Sequence, residues 1–178
     1  MMTIQVFRAI FRRFRTFWLT RPHLEIGTVL WQQTIHELGR RGLGGKREAG
    51  AFLLARPGEK VPIVLRVAYF DDLDPNCLVG HIHIRAVGFS KLWDLCEAEN
   101  LSVVADIHTH PNASVAQSAV DQENPMIARE GHIALIVPHY ATRSVLPRDV
   151  GVHEYRGERG WVSWYGSGAE RVLRIRKA

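Results

Sequence analysis

Residues 101–122 read LSVVADIHTHPNASVAQSAVDQ, and the rest of the chain takes its meaning from this stretch. Its first half alternates like a buried strand, which carries His108 and His110 out on one face, two positions apart. Asp121 follows Ser118 by three residues at the predicted start of a helix, so their side chains share one helix face. The spacing sets a strand end against a helix start, with two imidazoles, one carboxylate and one hydroxyl converging. Ser118 and Asp121 also have the form of a helix capping box. The two readings are compatible, because a capped helix start can still present its aspartate to an ion.

His108, His110 and Asp121 supply three nitrogen or oxygen donors, the number a catalytic zinc keeps while one position stays open. Hydrolysis at such a site needs a carboxylate base outside the ligand set. It also needs a donor for the developing oxyanion, and the Ser118 hydroxyl is placed to be one. A second pair, His81-Ile82-His83, has no serine and aspartate at the same offsets and reads as structural. Cys77 and Cys96 form no CxxC pair and read as buried small hydrophobes rather than ligands or nucleophiles. They fit a reduced cytoplasmic chain.

The 178 residues suffice for one domain with a core of its own. The net charge of +5 is concentrated: Arg8, Arg12, Arg13, Arg15 and Arg21 stand in the first 24 residues with no acid among them. Ile4, Phe7, Ile10, Phe11, Phe14, Phe17 and Trp18 recur three or four apart there, which predicts a cationic amphipathic helix over residues 1–22. Residues 4–18 would then serve as a membrane-surface contact, a partner-binding or self-packing face, or an electrostatic handle on nucleic acid. Residues 23–178 form the remaining domain. No apolar run reaches the length of a membrane-spanning helix, so a cytoplasmic chain, peripheral at most, is expected.

Within that domain, residues 23–26 read as a short extended run and residues 28–40 as a helix ended by Gly39, Gly42, Gly44 and Gly45. Residues 48–54 and 61–70, separated by the turn signal Arg56-Pro57-Gly58, predict a β-hairpin. Residues 81–87 are a candidate strand, residues 89–100 a helix, and residues 101–107 the strand that delivers the histidines. Later strands are predicted at residues 133–137, 151–155 and 161–165. Trp31, Trp93, Trp161 and Trp164 read as core or surface-lid aromatics, and Arg171, Arg174, Arg176 and Lys177 as solvent-facing. The irregular interleaving favours an α/β fold, a mixed sheet flanked by helices.

The string His108-Thr109-His110-Pro111 with Ser118 and Asp121 resembles the signature of the JAMM/MPN+ zinc metalloprotease family, in a compact bacterial form. The resemblance covers roughly residues 24 to 140. It implies the family's cytidine-deaminase-like sandwich, one Zn2+ on His108, His110 and Asp121, and Glu48 as the general base, although a glycine follows Glu48 by two residues rather than three. It further implies hydrolysis of a peptide or isopeptide bond at the C-terminus of a ubiquitin-like protein, by precursor processing or deconjugation. E1-like and E2-like enzymes are the expected neighbours, including those of antiviral systems. The RadC branch shares the HxHP core and is associated with nucleic acid, but its usual His-Asn-His-Pro-Ser-Gly is not the string here. A non-catalytic MPN scaffold is the other alternative; such members commonly lack ligands that this chain retains.

Overall fold

The computed structural model describes residues 23–79 and 82–177. The chain enters through β1 (Leu24–Gly27) and α1 (Thr28–Arg41), whose Trp31, Thr34, Ile35 and Leu38 recur three or four apart and are buried. The helix ends at Gly42, after which Leu43, Gly44 and Gly45 take left-handed φ values. β2 (Gly50–Ala55) is buried along its whole length, as its uninterrupted apolar sequence requires of a strand covered on both faces. There follow β3 (Ile63–Val64), β4 (Arg66–Tyr69), α2 (Phe70–Leu73), α3 (Ala86–Glu99) and β5 (Ser102–Thr109). The remainder is α4 (Ala119–Glu123), β6 (Ile133–Val137), β7 (Gly151–Tyr155), β8 (Trp161–Trp164), α5 (Ser167–Val172) and β9 (Leu173–Arg176).

Six strands form one mixed sheet in the order β4-β2-β5-β6-β7-β8, and β3-β1-β9 form a smaller parallel sheet. Within the large sheet only the β5–β6 pair is parallel. The α/β architecture, a mixed sheet with helices, is thus as expected, and the small parallel sheet is an addition to it. Fully buried Phe52, Leu53, Leu54, Ile107, Leu135 and Ile136 fill the centre of the sheet, each contributing about 1.5–3 kcal/mol by its removal from water. This core fixes β5, and the C-terminal end of β5 is where the histidines emerge. Thr28–Arg41, Ile133–Val137 and Gly151–Tyr155 fall on the predicted segments or within a residue of them.

Three expectations need correction. The hairpin forms, with β2 antiparallel to β4, but Glu48 and Ala49 precede β2 rather than belonging to it. Its second arm is not one strand: β3 pairs with β1, β4 pairs with β2, and at Phe70 the chain turns into α2. Burial of the Phe70 ring 4.9 Å from Phe52 draws the chain inward there, while Asp71 and Asp72 are held outside by Arg41. Residues 82–85 are not a strand, and Ala86 already opens α3. The alternating apolar pattern loses to a local clamp, in which the buried Asp74 carboxylate accepts the Arg85 backbone N–H at 3.1 Å and its Nε–H at 2.8 Å. His81 and the arginine-rich segment 1–22 lie outside the described residues. Among the described residues no helix is long and apolar enough to cross a membrane.

Candidate metal centre

Two strands and a capped helix start assemble the site. The last residue of β5, Thr109, exchanges backbone and side-chain bonds with Ala49, which places Glu48 beside the histidine strand. Beyond β5 the chain continues through His110, whose N–H donates to the Val137 carbonyl at 2.8 Å and whose own carbonyl accepts from Tyr140 at 2.8 Å. His139, Tyr140 and Ala141 all have positive φ, a conformation that costs free energy in non-glycine residues. That strained turn follows β6 and grips the backbone on which His110 sits.

Ser118 is the N-cap of α4. Its hydroxyl accepts the Asp121 N–H at 3.1 Å while its own N–H donates to Asp121 Oδ2 at 2.7 Å, the reciprocal arrangement of a capping box. The capping pattern and the site are therefore the same structure. The loop leading to Ser118 is pinned by His153 on β7, whose Nε2 stands 2.9 Å from the Val115 carbonyl and whose Nδ1 stands 2.8 Å from Ser163 Oγ. Burial lowers the His153 pKa, which suits a neutral ring that donates at Nε2 and accepts at Nδ1. Gly151 leaves room for this contact, since a Cβ there would lie 2.7 Å from His153 Nε2.

The predicted ligands meet. His110 Nε2 is 3.4 Å from Asp121 Oδ2, His108 Nε2 is 3.7 Å from Asp121 Oδ1, and one ligand atom from each of the three residues lies within 4.8 Å of the others. His110 Nδ1 is 3.2 Å from the Ser114 carbonyl; a carbonyl only accepts, so Nδ1–H donates there and Nε2 is the nitrogen that faces the cluster. Among the described residues, both nitrogens of the buried His108 are without hydrogen-bond partners. Burial opposes the Asp121 charge, but His110, His108 and the Ser118 contacts outweigh it and hold the carboxyl well below its usual range. At His108 burial likewise opposes charge, and Asp106, Asp121 and Glu48 overcome it, raising the pKa. Two imidazole nitrogens and one carboxylate, with a buried nitrogen that has no partner among the described residues, fit a metal ion, and the group could hold one.

Glu48, His108, Ser118 and Asp121 line one cavity of about 540 Å³. The rest of its lining is mostly apolar, with Ile82, Ile84, Phe89, Val120, Pro125 and Met126, but His83 and Asn124 also border it. A larger groove of about 830 Å³ runs between α1 and the strained turn after β6 and contains none of the predicted site residues.

Three polar residues around the centre were not anticipated from the sequence: Asp106, His132 and His153. Asp106 had a signal, since it continues the two-residue alternation of His108 and His110 backward along β5. His132, just before β6, and His153, on β7, come from elsewhere in the chain, and only the sheet order brings them near.

No protein-family model matches the chain. Two solution structures are similar in fold. A protein from Desulfitobacterium hafniense superposes with a TM-score of 0.60 over 87% of this chain and 94% of its own, at 15% sequence identity. A protein from Salinibacter ruber gives 0.57 over 84% and 90%, also at 15% identity. The likeness is one of fold, and it extends over most of each chain.

Proposed function

We propose that the chain is a zinc-dependent peptidase of the JAMM/MPN+ type, its α/β core the sandwich of that family. It hydrolyses the peptide or isopeptide bond at the C-terminus of a ubiquitin-like protein in the cytoplasm, alongside E1-like and E2-like partners. The observation that carries this reading is the shared cavity: Glu48, Ser118, His108 and Asp121 face one space, with His110 against Asp121.

His108, His110 and Asp121 would hold the ion. Bound there, zinc supplies the Lewis acidity that polarises a carbonyl and acidifies a water. Glu48, which is outside the ligand set, takes a proton from the attacking water and returns it to the departing amine as the carbon–nitrogen bond breaks. The Ser118 oxygen already accepts the Asp121 N–H, which leaves its hydroxyl proton free to be donated to the oxyanion formed when water adds to the carbonyl. The apolar lining residues Ile82, Ile84, Phe89, Val120, Pro125 and Met126 would exclude water and pack against the substrate's apolar groups. An extended C-terminal tail suits a mostly apolar cavity with a polar cluster in it.

The test uses ubiquitin-like fusion proteins with and without chelator. Glu48→Gln abolishes cleavage with zinc still bound, whereas Asp121→Ala loses both zinc and cleavage. Cleavage that survives complete zinc removal sinks the mechanism, and an active Glu48→Gln chain removes the base.

A further inference from the structure

Behind the cluster lie two buried polar side chains that the proposed chemistry does not use. Asp106 precedes His108 by two residues on β5 and is 1% exposed. His132, also 1% exposed, immediately precedes β6, the parallel neighbour of β5, where Ala134 is in register with Asp106. His132 Nε2 stands 2.7 Å from Asp106 Oδ1, so its N–H donates to the carboxylate. The other oxygen, Oδ2, faces His108 Nδ1 at 3.6 Å, just beyond hydrogen-bond length.

A carboxylate inside a sheet of Ile, Leu and Val costs free energy unless it is bonded, and an apolar residue would serve packing better. The two ligand histidines also differ. His110 has its outer nitrogen fixed by the Ser114 carbonyl. For His108 the same duty falls to Asp106 Oδ2, which faces a ring whose two nitrogens otherwise lack partners among the described residues.

We propose that Asp106, braced by His132, is the positioning residue for His108: it takes the Nδ1–H, fixes the tautomer and turns the Nε2 lone pair to the ion. The inference rests on the metal-site reading above and deepens it. Partners of this kind, standing behind a metal-bound imidazole, are worth about 10–100-fold in metal affinity.

The experiment titrates Zn2+ into the metal-free full chain by calorimetry, records the visible spectrum of the Co2+ form, and melts each metal-free variant. Wild type binds one ion. Asp106→Asn, which keeps the shape but offers an amide, binds zinc about 10–100-fold more weakly and shifts the cobalt bands. His132→Ala shows the same loss, while His132→Gln, whose amide N–H can still donate to Asp106, stays within about threefold of wild type. The His132 pair decides the matter should Asp106→Asn not fold. Lower melting temperatures with zinc affinity within about twofold of wild type describe a purely structural pair and overturn the proposal. A wild-type chain that binds no zinc overturns the metal site itself, an outcome distinct from a failure of Asp106 alone.

Discussion

Thr109 and Ala49 are joined by two hydrogen bonds: the Thr109 N–H donates to the Ala49 carbonyl at 2.9 Å, and the Ala49 N–H donates to Thr109 Oγ1 at 3.0 Å. Threonine between the two histidines therefore has a function of its own, which is to fasten the residue next to Glu48. Thr109→Val keeps the shape and leaves the buried Ala49 N–H without its acceptor, at a cost of about 1–3 kcal/mol. Thr109→Ser retains the bond. Urea unfolding of the two variants against wild type measures the difference, and equal losses in both would show that the hydroxyl is not what matters.

Gly50 is in register with His108, and a Cβ there would lie 2.8 Å from the Ile107 carbonyl oxygen and intrude on the Phe70 ring. Gly50→Ala should destabilise the fold by about 1–3 kcal/mol through overpacking. Because β2 and β5 must part to relieve the contact, zinc affinity should fall as well. Denaturation and zinc titration on one sample check both effects.

Asp74 and Arg85 make stability depend on acid. The Arg85 guanidinium and backbone N–H, with a further N–H from Asn76, hold the Asp74 carboxyl well below its usual range against the opposing effect of burial. A depressed native pKa stabilises the fold fully above the unfolded value, about 3.9, and the contribution is lost as pH falls through that value toward the native one. Between about pH 5 and pH 3 the wild type should therefore lose more stability than Asp74→Asn. Thermal melts of both chains across that range test it, and parallel curves refute it.

Cys77 is 1% exposed, and burial, followed by Asp71 and Asp74, pushes its thiol up to about 11. At pH 8 only on the order of a thousandth of it is thiolate, the reactive form. In a Cys96→Ser chain, Ellman's reagent should leave Cys77 untouched in the folded protein and label it at once in denaturant. Rapid labelling of the native chain contradicts the buried placement.

The legibility of the sequence follows the range of the forces involved. Gly50–Ala55 and Ile133–Val137 are continuous apolar runs whose burial leaves them one outcome. Ser118 and Asp121 could be placed because a capping box is closed within four residues. Residues 82–85 were misread as strand because Arg85 answers to Asp74, eleven residues back, and neither hydropathy nor alternation records that bond. For the same reason the division of residues 61–70 between two sheets was hidden: β3 has its partner in β1 and β4 has its partner in β2. The C-terminal arginines are exposed as read, but Arg174 and Arg176 lie 3.3 and 3.6 Å from Glu25, because β9 runs parallel to β1.

His23 marks where the basic leading residues join the fold. Its N–H donates to the Val172 carbonyl, and its Nδ1 is 3.0 Å from Glu154, the residue opposite Ile133 at the entry of β6. The histidines lie at the exit of that strand, where Val137 is in register with Thr109. Four residues of strand, about 13 Å, separate the two ends. The junction with the preceding residues thus sits on the far rim of the sheet from the cleft, and the cavity beside Glu48 and the histidines opens away from it.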